Sequence, residues 1–278
     1  MDHVKKIVLI TGTTGAIGKA TAIQLAKENC QLILLGRNPE KLADVKSEIE
    51  NTTGNKNVEV VIADLAEPSS IKKAVKEIKS RHSALDALLN IAAVFRPNKE
   101  VNSTGLEWMF AANHLGPFVL TNELLDLLKA GKPSRVINVT APSTTKVNFD
   151  DLHGTKKFSS GFLGSFGASK MMNILFTYAL ARRIGNTGVS TNAFHPGLVR
   201  SELTAEMPFL IRSITNMISG SPDRAAAMLS KLVIEPVYQN SNGKFFKFDG
   251  KEMKSSAYSY DTEVQERLWR VSEAEHLT

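Results

Sequence analysis

The stretch Ile7-Val8-Leu9-Ile10-Thr11-Gly12-Thr13-Thr14-Gly15-Ala16-Ile17-Gly18 decides how the rest of this chain is read. Its opening run of consecutive apolar residues shows no helical spacing and reads as a strand buried on both faces. Glycines 12, 15 and 18 follow, and then a helical pattern through Ala20 to Glu28. Strand, glycine turn and helix in immediate succession open a β-α-β unit.

The same rhythm repeats outward along the chain. Short apolar runs at 32–35, 58–62, 85–91, 136–139 and 189–194 read as strands. Helical patterns lie between them over 39–51, 69–80 and 165–184, with one long helix through Trp108 and Asn113 to about residue 128. Continuous apolar strands separated by helices predict a parallel sheet covered on both faces, the doubly wound α/β arrangement known as the Rossmann fold. Right-handed crossovers place the loops that follow the strands along one edge, where ligands bind. The rhythm stops after Phe194; Asn242-Gly243 reads as a turn into a short last strand, and 262–275 as a closing helix. No repeat or Gly/Ser linker divides the sequence, so residues 1–278 are expected to form one domain.

Composition narrows the classes of function. The 278 residues carry 34 Lys and Arg against 28 Asp and Glu, for a net charge of +6, and 42% are hydrophobic. The basic residues are dispersed: Lys72, Lys73, Lys76 and Lys79 share a helical segment with Glu77, as a solvated face does. With no block of like charge and no aromatic-basic ladder, nucleic acid is not an expected partner. A single cysteine, Cys30, excludes an internal disulfide and a cysteine-rich zinc site and suits a reducing compartment. No run approaches the ~20 apolar residues that cross a bilayer, and the run 7–10 is too short for a signal-peptide core. The expectation is a cytoplasmic protein with no metal site and no integral membrane segment.

The glycine turn carries the first chemistry. Gly12 makes a tight turn, Gly15 lets backbone approach a ligand, and Gly18 lets helix and strand pack closely. The helix N-terminus then offers free N–H groups and partial positive charge to a pyrophosphate. After the second strand stands Arg37, with Lys41 one helical turn on. An arginine there pairs with a 2′-phosphate, where an acidic residue would take a free ribose hydroxyl. NADP(H) is therefore the expected cofactor, with NAD(H) second. Asp64-Leu65 after the third strand and Asn90 after the fourth fall on the same expected edge.

With these residues assembled, the chain resembles the short-chain dehydrogenases/reductases over nearly its whole length. The resemblance rests on the glycine turn, Asp64-Leu65, Asn90-Ile91-Ala92-Ala93, Asn113-His114-Leu115-Gly116, the strand 135–139 and His195-Pro196-Gly197. Asn148-Phe149-Asp150-Asp151-Leu152 and Leu268-Trp269-Arg270-Val271-Ser272-Glu273 are similar to segments of the retinol dehydrogenase and protochlorophyllide reductase branch. The resemblance implies hydride transfer between a nicotinamide and a carbonyl or alcohol carbon. It also implies cofactor contacts from Gly12, Thr14, Ile17, Arg37, Asp64, Leu65, Asn90 and Ala92, with Pro196, Gly197 and Val199 flanking the nicotinamide. The family's middle glycine is here Ala16, beside Gly15, and Ile91 and Ala93 stand where Asn and Gly are common.

At the catalytic positions the resemblance implies Asn, Ser, Tyr and Lys, the last two spaced so that both share one helical face. A neighbouring ammonium favours the phenolate, so such a tyrosine exchanges a proton near neutral pH. Here Asn113 and Lys170 are present, but Phe166 occupies the tyrosine position and Ala141 the serine position. Neither can exchange a proton. Thr140, Ser143, Thr144, Ser165, His153, Lys156 and Lys157 are nearby polar residues, each more simply read as an ordinary loop or surface residue. Lys170 can still hold the nicotinamide ribose. Three readings follow: an oxidoreductase with a non-standard proton path, a deliberately disabled variant of an active enzyme, or a cofactor-binding protein without turnover that regulates or scaffolds.

Between residues 201 and 223, Leu210, Ile214, Met217 and Ile218 recur at helical spacing. The family's equivalent segment covers substrate, so an apolar lid and an apolar or aromatic small-molecule substrate are expected. Family members are often dimers or tetramers; a homo-oligomer is the corresponding expectation.

Overall fold

The computed structural model describes residues 5–197 and 221–277. The strands are β1 (Ile7–Thr11), β2 (Gln31–Gly36), β3 (Val58–Ile62), β4 (Ala87–Asn90), β5 (Ser134–Val139), β6 (Val189–His195) and β7 (Lys244–Lys247). They form one sheet in the order β3-β2-β1-β4-β5-β6-β7, every neighbouring pair parallel. The chain builds outward from β1 to β3, then returns to lay β4 on the other side of β1. That reversal opens a crevice beyond the carboxyl ends of β1 and β4. The doubly wound α/β expectation holds.

Successive strand residues feed opposite cores, as the two-residue period requires. Leu9, Ile33 and Leu35 face a layer that includes Ile71 of α3 (Pro68–Arg81), Phe118 of α5 (Gly116–Glu123), Phe176 of α7 (Ser165–Ile184) and Trp269 of α9 (Thr262–Leu277). Val8, Ile10, Leu32 and Leu34 face Leu25 of α1 (Ala16–Lys27), Leu42 of α2 (Pro39–Thr53) and Leu229 of α8 (Pro222–Ile234). No helix among the described residues is long and apolar enough to cross a membrane.

Three local expectations are corrected. β4 is shorter than 85–91, because the Leu85 amide bonds to Leu127 O and the Ile91 amide to the Thr11 hydroxyl. The single long helix to residue 128 is four pieces: α4 (Trp108–Phe110), a π-helical turn (Ala111–Leu115), α5, and α6 (Leu125–Ala130). A side chain at Gly116 would run into the Leu65 carbonyl, so the helix crosses that loop in direct backbone contact. The rhythm also does not stop after Phe194. Helix α8 is capped by Ser221, whose hydroxyl accepts from the Asp223 amide at 3.1 Å, with Pro222 in its first turn.

Candidate active site

The cofactor half of the site begins at the glycine turn. Gly12 has φ +74°, and a Cβ there would lie 2.7 Å from Ala92 Cα. At Gly18 a Cβ would collide with the Gly12 carbonyl. Both glycines are demanded by the chain's own packing. Gly15 is not: a Cβ there would meet only Gly12 O, at an ordinary 3.5 Å. Thr14 is exposed beside it, and Ile17 is half-buried. Thr11 accepts from the amides of Ile91 and Ala92 at 3.0 and 3.1 Å, which holds the loop after β4 against the turn after β1.

Along the same edge, Arg37 and Lys41 are exposed, and neither forms an ion pair with another described residue. Between them Asn38 caps α2, accepting from the Lys41 amide at 2.8 Å. Asp64 follows β3, its Oδ1 accepting from the Ala66 amide at 2.9 Å, and Leu65 is buried next to it. Asn90 is buried at the end of β4 and donates to Asn138 Oδ1 at 2.8 Å and to Thr121 at 3.1 Å. Pro196 and Gly197 (φ +79°) follow β6, half-buried, with His195 at the strand's end held below its usual pKa by burial. Val199 and the proposed lid at 201–220 lie outside the described residues; 221–223 begin α8.

The residues expected to face substrate sit on the π-helical turn, the end of β5 and the first turns of α7. Asn113 clamps Val94: its Oδ1 accepts from the Val94 amide at 2.7 Å and its Nδ2 donates to the Val94 carbonyl at 2.9 Å. Ser169 accepts from Asn113 Nδ2 at 3.1 Å, and Asn173 donates to the Asn113 carbonyl at 2.9 Å. Asn173 O accepts from Thr177, which in turn accepts from Asn138. A continuous polar chain thus runs beneath the site from Asn90 to Asn113.

Phe166 is buried edge-to-face against Phe95, 5.6 Å between centroids, and against Phe162, 5.1 Å. Lys170 places its ammonium 5.1 Å from the centroid of the Phe166 ring, a cation–π contact. It is 7% exposed, and burial brings its pKa down to about 8. Ala141 is half-buried just beyond β5.

Three of the other polar side chains near these positions, Thr140, Ser143 and His153, are engaged elsewhere. Thr140 donates to the Lys170 carbonyl at 2.8 Å, and Ser143 to the Gly167 carbonyl at 2.8 Å. His153 lies against α9, with its Nε2 3.2 Å from Glu275, and Lys156 and Lys157 are exposed with their amides on Asp151. Among the described residues no group of His, Cys, Asp and Glu converges on a metal position.

The short chain dehydrogenase family model matches residues 6–208. The chain belongs to the short-chain dehydrogenase family. Within it the likeness is to the retinol dehydrogenases. Retinol dehydrogenase 13 of Mus musculus is 36% identical, over 96% of this chain and 82% of its own length. Retinol dehydrogenase 12 of Homo sapiens is 35% identical, over 96% and 85%. A solved structure of an uncharacterised protein from Mycobacterium paratuberculosis covers 99% of this chain and 94% of its own, with TM-score 0.79 at 25% identity. A short chain dehydrogenase from Burkholderia cenocepacia, solved with NADP, gives 0.70 at 24% identity over 88% and 96%, a likeness of fold alone.

This short-chain dehydrogenase thus belongs to a family of oxidoreductases, and its cofactor class is a nicotinamide dinucleotide. Several residues of the site were not singled out from its sequence. Ser169, Asn173 and Thr177 recur every four residues along α7, a polar stripe that spacing alone can reveal. Thr11 carries no such local mark.

Proposed function

We propose that this protein binds NADP(H) along the carboxyl edge of the sheet and transfers hydride to or from a carbonyl or alcohol carbon of an apolar or aromatic small molecule. The observation that carries the reading is the asymmetry of the glycine turn. Gly12 and Gly18 are required by packing, whereas the bare face at Gly15 leaves backbone N–H groups at the start of α1 open to a pyrophosphate. The dinucleotide, when bound, supplies the hydride. Arg37, with Lys41 beside it, pairs with the 2′-phosphate; Asp64, Leu65, Asn90 and Ala92 line the adenosine side; Pro196, Gly197 and Val199 flank the nicotinamide.

Lys170 holds the nicotinamide ribose, and Asn113 holds the Val94 backbone in the loop after β4. The family's two hydroxyl positions hold Phe166 and Ala141, so no phenol delivers a proton. The ammonium of Lys170, brought down to about 8 by burial, can hold and release one near neutral pH. An apolar substrate is supported by the aromatic group of Phe95, Phe162 and Phe166, by the exposure of Phe162 (53%) and Leu163 (86%), and by the names of the retinol dehydrogenases.

Isothermal calorimetry tests the first half: NADPH binds, and more tightly than NADH. Absence of heat with either at high concentration ends the proposal. Following reduced-nicotinamide absorbance with a panel of apolar aldehydes and ketones tests the second. The missing hydroxyls favour one competing reading, a non-catalytic NADP(H)-binding protein. Tight NADPH binding with no turnover over that panel would establish it. Ala141→Ser with Phe166→Tyr tests whether the site is a disabled form of an active one: large gain of turnover supports that origin, and none rejects it.

A further inference from the structure

The π-helical turn Ala111–Leu115 has two buried polar side chains that reach different parts of the molecule. Asn113 reaches the Val94 backbone; His114 reaches the closing helix, with its Nε2 2.8 Å from Ser272 Oγ. We propose that helix α9 positions Asn113, the Ser272–His114 hydrogen bond holding the π-helical turn in the geometry that presents Asn113 to Val94. This does not rest on the cofactor reading.

The argument starts from the turn itself. A π-helical turn is a rare, one-residue insertion that neighbouring contacts must hold in place. His114 is fully buried among the rings of Phe110, Phe118 and Phe176, at 5.7, 6.2 and 6.3 Å between centroids. Burial pushes its pKa down to about 3, so it is a neutral imidazole at any working pH. Ser272 is also fully buried and gives its hydroxyl proton to the Leu268 carbonyl at 2.9 Å. The Ser272 hydroxyl thus has two buried partners, the Leu268 carbonyl and His114 Nε2. On its other side the ring faces the Asn173 side chain of α7, and Ser272 makes the closer contact, at Nε2.

The rest of α9 seats this contact. Trp269 packs on Phe118 at 4.9 Å and Phe176 at 6.0 Å, and the Arg183 guanidinium lies 3.9 Å from its ring centroid. Removing the hydroxyl at 272 leaves a buried ring nitrogen unpaired one residue from Asn113. The turn can then relax toward regular α-helix, and Asn113 is carried with it.

Amide hydrogen exchange on the ligand-free, full-length protein reads this directly, because the Val94 amide is protected by Asn113 Oδ1. In Ser272→Ala the Val94 amide is expected to exchange about tenfold faster, the order expected for losing one buried hydrogen bond, while amides of β1 and β2 hold their rates. Ser272→Thr, which keeps the hydroxyl, restores protection. Ser272→Cys, a weaker hydrogen-bonding group of similar shape, gives the same pattern at smaller amplitude and serves if the alanine variant does not fold. Trp269→Leu is the packing control: it accelerates core and Val94 amides together. If in both the alanine and cysteine variants Val94 exchanges in step with the β1 and β2 amides, Ser272 is merely structural and the proposal is overturned.

Discussion

A phenyl ring stands at residue 166, where the resemblance implies a phenol, and its first consequence is for Lys170. A buried ammonium facing an aromatic face is poorly compensated for the water it has lost. Its pKa is near 8 in the folded protein and about 10.4 in an unfolded chain. Between those values the unfolded state holds a proton that the native state lacks, so stability rises with pH across that window and the full penalty, up to about 3 kcal/mol, is present at pH 7. Lys170→Met should therefore raise the melting temperature of the ligand-free protein at pH 7, with the gain shrinking from about pH 8 to pH 10 in scanning calorimetry. On the cofactor side, Arg37→Ala should raise the NADPH dissociation constant by about 10- to 100-fold, the worth of one charge-assisted hydrogen bond. NADH binding should be unchanged by calorimetry. Lys170, Asn113 and the two absent hydroxyls are legible only through the family resemblance, which marks their positions; the spacing of 166 and 170 adds that the two share a helical face. Thr11 is not legible, because its partners Ile91 and Ala92 lie 80 and 81 residues away.

Among the elements, the glycine turn makes a demand that separates folding from binding. Gly18→Ala pushes a methyl into the Gly12 carbonyl and should destabilise by about 2–4 kcal/mol in urea unfolding, as overpacking of a close contact does. Gly15→Ala has room and should fold with near-unchanged stability, yet bind NADPH at least about tenfold more weakly, since its methyl stands where a pyrophosphate would meet backbone. Equal NADPH affinity in that variant would remove the observation on which the proposed function rests. Strands and most helices are legible because each is buried on a regular period; α7 begins at Ser165 and ends at Ile184, as its pattern predicts. The segment 108–128 misleads because its apolar residues keep helical spacing through a π-helical turn, and only Gly116-Pro117 hints at the break. Helix α8 carries a readable start in Ser221-Pro222-Asp223, set apart from the preceding strand by a long interval.

For the molecule as a whole, α9 is the last element in sequence and fastens much of one face. Trp269 closes the layer formed by Phe118 and Phe176, while Glu266 pairs with both Arg182 and Arg183 of α7. Trp269→Ala should cost about 3–5 kcal/mol, the usual toll of deleting a buried ring, measured as a lower urea midpoint. That long-range role could not be read from the closing helical pattern, whose partners lie far back in the chain. Because the charge of Lys170 is poorly satisfied, the empty protein carries a strain that an arriving ribose diol, on the proposed reading, would relieve. Occupancy then sets longevity: when pyridine nucleotides run short in a cell, a larger share of molecules opens and is cleared by proteases, so abundance itself becomes a gauge of cofactor supply.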